Sequence, residues 1–501
     1  MIELDGGSLT LDALGRIAHD AEPVRLAAGA AARVHAARAV VDARAKAGTP
    51  VYGVNTGFGA LADVTIPSDQ LSALQLNLLR SHAAGVGEPL DVPTIRALMA
   101  LRANVLAKGF SGIRLETLEA LLAMLNAGVH PRVPARGSVG ASGDLAPLAH
   151  LALVLIGEGD TLDGPSGAAA LARAGLRPVT LAAKEGLALI NGTQASTAVL
   201  ALAVLAATGL VRVADIAAAM SVDALRGSIR PFESRIHAAR PVPGQAASAT
   251  NLVRLVDGSA INASHANCGK VQDAYSLRCA PQVHGAAREA LGFARRLAEI
   301  EANAATDNPM VFTDTGDIVS GGNFHGAPIA LAADTLALGL VQLATISERR
   351  IDRLMRPEES GLPAFLVSNS GLHSGLMMAH VTAAALAAEI KTLAHPAGID
   401  TIPTSAGRED HVSMSMGAAL KLARLVDLAR HVLAIEVLAA AQAIDLLAPL
   451  ATSAPLERVR RAVRRVVPAL TIDRSPAPDI DRIAHLIAGG ELERATEISL
   501  Q

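Results

Sequence analysis

The sequence has no tryptophan and only two tyrosines, Tyr52 and Tyr275, among 501 residues. A large core without such aromatics must be packed from Ala, Leu and Val, and 51% of the residues are apolar. Cysteine is equally scarce. Cys268 and Cys279 are the only two; they exclude a disulfide framework, match no metal-ligand spacing, and read as small buried hydrophobes. No excess of one charge exists either: the net charge is −3, without a long basic or acidic run. That excludes a nucleic-acid surface. The opening residues, MIELDGGSLTLDALG, lack both the basic and the apolar region of a signal peptide. One uncharged stretch lies between Glu185 and Arg212 and contains the mostly apolar run Thr193–Val211. Asn191, Gly192 and Gln194 open it, and its body is rich in Ala and Thr, which points to a buried helix and no membrane span. A soluble cytoplasmic protein is expected.

What is present is helix. Period-two alternation is rare, so the chain reads as mainly α. Met414–Leu447 contains no proline and only Gly417 as an interior breaker, giving a helix roughly 50 Å long. Its polar stripe is confined to Lys421, Arg424, Asp427 and Arg430, as in a helix buried on several sides. Pro328–Met355 and Gly375–Ala394 have the same character. Together they predict a long central helical bundle, and more apolar surface than one subunit hides predicts an oligomer. The first 190 residues are more broken by Gly and Pro. We therefore expect a smaller, loop-rich N-terminal region over 1–190 and the long-helix bundle with C-terminal helices over 191–501. Neither an internal repeat nor a low-complexity linker interrupts them.

The segments between helices hold the chemistry-bearing residues. Residues 137–153 read GSVGASGDLAPLAHLAL. Read locally, this is a glycine turn entering a helix, with Asp144 as N-cap and Pro147 in the first turn. Tyr52 sits in VYGVNTGFG and Tyr275 in KVQDAYSLRC, both among polar or glycine-rich neighbours. Their scarcity favours a chemical role. Arg278, three residues after Tyr275, shares its face if the segment is helical and suits a bidentate grip on a carboxylate. His82, His325 and His411 lie in loop contexts without the H-x-x-x-H spacing, so no zinc site is expected. Glu409-Asp410 reads as a helix N-terminal cap, which accounts for Asp410 and leaves Glu409 open. No nucleophile elbow or phosphate loop is present.

Taken together, VYGVNTGFG, SHAAGVG, GSVGASGDLAPLAH, AAKEGLALINGTQAS, KVQDAYSLRC, TDNP, SGGNFH and REDHVSM resemble the aromatic amino-acid ammonia-lyase and aminomutase family in its histidine-specific branch. The resemblance runs nearly end to end. It implies a methylidene-imidazolone (MIO) electrophile formed from Ala141, Ser142 and Gly143. The Gly143 nitrogen attacks the Ala141 carbonyl, and two waters leave, one carrying the Ser142 hydroxyl. It further implies Tyr52 as the base for the β-proton and Arg278 as the grip on the substrate carboxylate. Asn191 and Tyr275 hold substrate and MIO, with Gln272 in support and Phe324 beside the ring. His82 and Glu409 face the substrate side chain.

The implied reaction is elimination of ammonia from L-histidine to trans-urocanate, by a homotetramer with shared sites. The alternative is an MIO-dependent tyrosine or phenylalanine ammonia-lyase or aminomutase. Two positions depart from the family pattern: Gly407-Arg408 replaces Asn-Gln, and Ala274 replaces a proline before the tyrosine. Arg408 is thereby a candidate partner for Glu409.

Overall fold

The computed structural model describes residues 1–501 except 48, 49, 267, 268 and 270. Cys268 lies outside the described residues; Cys279 is a free, half-buried thiol. The fold is mainly α. The expected long helices form over Gln194–Ala224, Ala327–Met355, Met377–Leu393 and Ser415–Leu446, and a further one, Ala280–Ala302, was not anticipated. Among the described residues the strands make only two-stranded pairs, such as parallel Ile2–Leu4 with Val24–Leu26 and antiparallel Val86–Pro89 with Pro134–Arg136. Two helices, Gln194–Ala224 and Ala327–Met355, are long and apolar enough to cross a membrane by length and composition. Most of each apolar stretch is buried within the protein, as in a core helix.

The chain divides into two compact units. The first comprises Met1–Leu205, Arg295–Asp334 and Pro396–Leu420; the second comprises Ala206–Ala294, Thr335–His395 and Lys421–Gln501. In the first unit, the Val92–Ala107 helix is buried from Ile95 to Ala107 and packs against Leu11–His19 and Leu115–Asn126. Beside it, Leu71–His82, Leu145–Leu155 and Glu185–Ile190 pack mutually. Those three helices end or begin at His82, Asp144 and Asn191, so their packing sets the spacing of the loops attached to them. Val54 is fully buried with Ala37, Val41 and Val311, which anchors the loop carrying Tyr52.

The second unit holds a buried ion pair. Glu436 accepts hydrogen bonds from Arg350 on both oxygens and from Ser221 and Ser347, and neither Glu436 nor Arg350 is exposed. Removing the carboxylate would leave the guanidinium buried and unpaired. Glu436→Ala is therefore expected to destabilise the chain by about 3–5 kcal/mol. A clear drop in the denaturant midpoint checks this, and an unchanged midpoint refutes it.

Candidate active site

The Ala141–Gly143 loop is held on three sides. Gly143 has φ +71°, and a Cβ there would lie 2.2 Å from the Gly192 carbonyl oxygen. No side chain is tolerated at that point, in conformation or in space. Asp144 N donates to the same Gly192 oxygen at 2.7 Å. Asn191 Nδ2 donates to the Ser142 carbonyl at 2.9 Å, while Asn191 Oδ1 is buried without a partner. From another direction, Gly326 N and Ser413 Oγ donate to Gly140 O, and Met414 N donates to Val139 O.

Asp144 occupies the N-cap position of Leu145–Leu155, but its carboxylate does not cap that helix. It instead accepts from Ser138 Oγ at 2.7 Å and from the N–H and hydroxyl of Ser196 at 2.7 and 2.8 Å. Burial pushes this carboxyl up, and those donors oppose the rise. The expected local cap is thus replaced by a tie from the loop to the start of the Gln194–Ala224 helix.

Glu409 reaches the loop directly: Ser142 Oγ donates to its Oε1 at 2.8 Å, and Thr404 Oγ1 donates to its Oε2. A tight turn presents it, with Thr404 and Glu409 exchanging backbone hydrogen bonds around Ala406 (φ +52°) and Gly407 (φ +82°). Gly407 suits that left-handed backbone. Arg408 leaves Glu409 alone and faces Asp63 at 3.8 Å, both exposed; such a pair is worth little. Asp410 is not a cap, since the following helix begins at Ser415.

Tyr52 is half-buried. Its hydroxyl accepts from Gly59 N at 3.4 Å, and its ring meets Phe58 edge-on. Burial raises its pKa above the usual 10, the Gly59 N–H opposes this, and the Glu409 charge adds to the rise. His82, the last residue of its helix, places Nδ1 2.9 Å from Leu78 O. Ser81 Oγ lies 3.0 Å from the same nitrogen; in the tautomer in which Nδ1 donates to the Leu78 carbonyl, Nε2 keeps its lone pair. Burial lowers the His82 pKa, against the Leu78 bond and the Glu409 charge, which favours the neutral ring. Phe324, half-buried, precedes His325 and Gly326; the His325 ring stacks on His411 and its Nε2 approaches His411 O at 3.1 Å.

Gln272, Tyr275 and Arg278 belong to the second unit. Tyr275 opens a four-residue helix and is 71% exposed; Gln272 is exposed too. As expected from their spacing, the Arg278 guanidinium lies over the Tyr275 ring, 4.7 Å from its centroid. Arg278 Nε also donates to Asp273 O. Ala274 has φ −62° and ψ 157°, the backbone a proline would impose. A proline would fit the same backbone at this position.

Two features escaped sequence reasoning. Thr404, the second donor to Glu409, carries no signal in its spacing. Arg102 does: it is a lone cation in the apolar run MALRANVLA. It is fully buried and donates to Ala188 O, Asn191 O, Gln194 Oε1 and Asp307 Oδ1.

The model of the aromatic amino acid lyase family matches residues 9–465. The chain is 57% identical to the histidine ammonia-lyase of Anaeromyxobacter sp. (strain K), covering 98% of this chain and 99% of that one. It is 56% identical to the histidine ammonia-lyase of Myxococcus xanthus (strain DK1622), covering 98% and 97%. Among solved structures, histidine ammonia-lyase from Trypanosoma cruzi superposes with a TM-score of 0.92 at 47% identity, covering 99% of this chain and 95% of that one. Tyrosine aminomutase from Streptomyces globisporus superposes with a TM-score of 0.95 at 40% identity and full coverage of both.

Proposed function

The chain belongs to the aromatic amino acid lyase family, and we propose that it eliminates ammonia from L-histidine to give trans-urocanate, using an electrophile made from its own Ala141, Ser142 and Gly143. The reaction class is that of a carbon–nitrogen lyase. The observation that carries the tripeptide's role is the cradle around it. Gly143 has no room for a side chain, Asn191 polarises the Ser142 carbonyl, and Asn191 Oδ1 is a buried acceptor awaiting a donor. The residues present therefore fit MIO formation. When formed, MIO supplies an electrophilic carbon that turns the substrate amine into a leaving group.

The protein's other residues do the rest. Tyr52, as phenolate, takes the β-proton. Asn191 Oδ1 accepts from the substrate amine. Arg278 grips the carboxylate, with Tyr275 and Gln272 holding the substrate, and Phe324 packs beside the electrophile. Histidine is favoured over tyrosine at the side-chain end because neutral His82 offers a lone pair on Nε2 and Glu409 offers a carboxylate. A neutral imidazole has one N–H to donate, and either the Glu409 carboxylate or a free His82 Nε2 can accept it.

The enzyme acts as a cytoplasmic homotetramer whose sites combine residues of more than one chain. In support, Tyr275 is 71% exposed, and the Met377–Leu393 helix exposes Met378 and Val381. A tyrosine-directed lyase or aminomutase is the second reading, favoured by the aminomutase superposition.

A substrate panel separates the two. Purified protein is expected to release ammonia and urocanate from L-histidine and to leave L-tyrosine and L-phenylalanine untouched. Turnover of the latter two alone, or accumulation of a β-amino acid with little ammonia, would reverse the assignment.

A further inference from the structure

Residues 305–309, ATDNP, have no role assigned in the proposed chemistry. Thr306 accepts from Gln194 Nε2 at 2.8 Å, and Asp307 accepts from Arg102 Nη2 at 3.0 Å. Both are buried. Arg102 is paired with Asp307, but not in the bidentate way that would make the strongest ion pair. Asp307 Oδ2 and Arg102 Nε have no partner. The remaining donors are aimed instead at one short turn. Nη1 reaches Asn191 O at 2.9 Å and Gln194 Oε1 at 2.6 Å, and Nη2 reaches Ala188 O.

That turn is the end of the Glu185–Ile190 helix, where carbonyls lack intrahelical partners and favour a cation. The other end of the same helix is pinned by Glu185, which accepts from Arg114 and Thr117. From the turn, Asn191 and Gly192 make the contacts that hold Ser142 O and Asp144 N.

We propose that Arg102 is a positioning residue for the Ala141–Gly143 loop, clamping the 188–194 turn so that Asn191 and Gly192 press the tripeptide into its cyclising shape. The proposal rests on the MIO reading. Arginine is required because its planar fork serves several carbonyls at once, whereas a lysine is a single point of charge. The effect runs through the Asn191 amide on Ser142 O and the Gly192 carbonyl on Asp144 N, and Arg102 itself touches no reacting atom.

Intact-mass measurement of the purified full chain, followed over days after expression, reads the clamp without any assay of activity. Wild type should lack two waters throughout. Arg102→Lys should start with a large unmodified fraction and lose water at least about tenfold more slowly. Thr306→Val, a milder change that frees the Gln194 amide, should slow dehydration in the same direction. Arg350→Lys is the control: an equally buried, ion-paired arginine with its partner Glu436 in the second unit. It should lower the melting temperature and still dehydrate fully.

Dehydration of Arg102→Lys at the wild-type rate would overturn the proposal. So would an equal shortfall in Arg350→Lys at a matched melting temperature. If Arg102→Lys does not fold, full and prompt dehydration of Thr306→Val would overturn it instead. A wild-type chain with both waters retained would fail the MIO reading itself, a separate outcome.

Discussion

Ser142→Ala is expected to yield a folded protein that releases no measurable ammonia from L-histidine. Alanine has no hydroxyl to lose, so no methylidene carbon can form. The substrate amine then stays a poor leaving group, because hydrogen bonding alone does not change its chemistry. The loss should exceed the ~10²–10³-fold cost of deleting one preorganised donor. The structural cost is small. The Ser142 hydroxyl makes one bond, to Glu409, and Thr404 still holds that carboxylate. A hydrogen bond to a charged carboxylate contributes about 1.5–3 kcal/mol, and conversion to MIO removes the same hydroxyl from the wild type. An unchanged circular dichroism spectrum, retention of the full sequence mass and absence of ammonia are the expected results. Undiminished ammonia release would reduce the glycine-rich stretch to a helix entrance.

Tyr52→Phe should lower kcat by ~10²–10⁴-fold, the usual contribution of a positioned base, with the mass still short by two waters. Phenylalanine keeps the ring against Phe58 and removes only the proton acceptor. The pH profile gives a second readout. Burial first, and the Glu409 charge after it, hold the Tyr52 hydroxyl above its ordinary pKa, against the Gly59 N–H. The phenolate fraction is therefore small at neutral pH and grows as pH rises, so kcat/KM should climb on the alkaline side. Glu409→Gln removes a charge that disfavours the phenolate. Its rising limb should move to lower pH, even as the absolute kcat/KM falls through weaker imidazole binding. A limb that stays in place would separate Tyr52 from Glu409, and full activity in Tyr52→Phe would remove the tyrosine from the chemistry.

The helices were legible because apolar periodicity is a local property. Met414–Leu447 was expected and Ser415–Leu446 is found, and Pro328–Met355 differs from Ala327–Met355 by one residue. The carboxylates were not legible in the same way. Asp144 and Asp410 both looked like local caps. Asp144 turns away to Ser138 and Ser196, and Asp410 lies well before its helix begins. Arg408 looked like a partner for its neighbour Glu409 and instead faces Asp63. Sequence neighbours in a tight turn point in different directions, so adjacency misleads there.

Helical content, the placing of both tyrosines among polar or glycine-rich neighbours, and the glycine-rich setting of Ala141-Ser142-Gly143 are all readable along the chain. Composition, periodicity and motif order carry that information without reference to contacts. Which groups meet depends on how the chain packs. Ser142 and Glu409 are 267 positions apart, and Arg102 and Asp307 are 205 apart. Such pairs form because tertiary packing brings distant segments of the chain to one place, and a buried polar group must then find a partner among whatever the packing delivers.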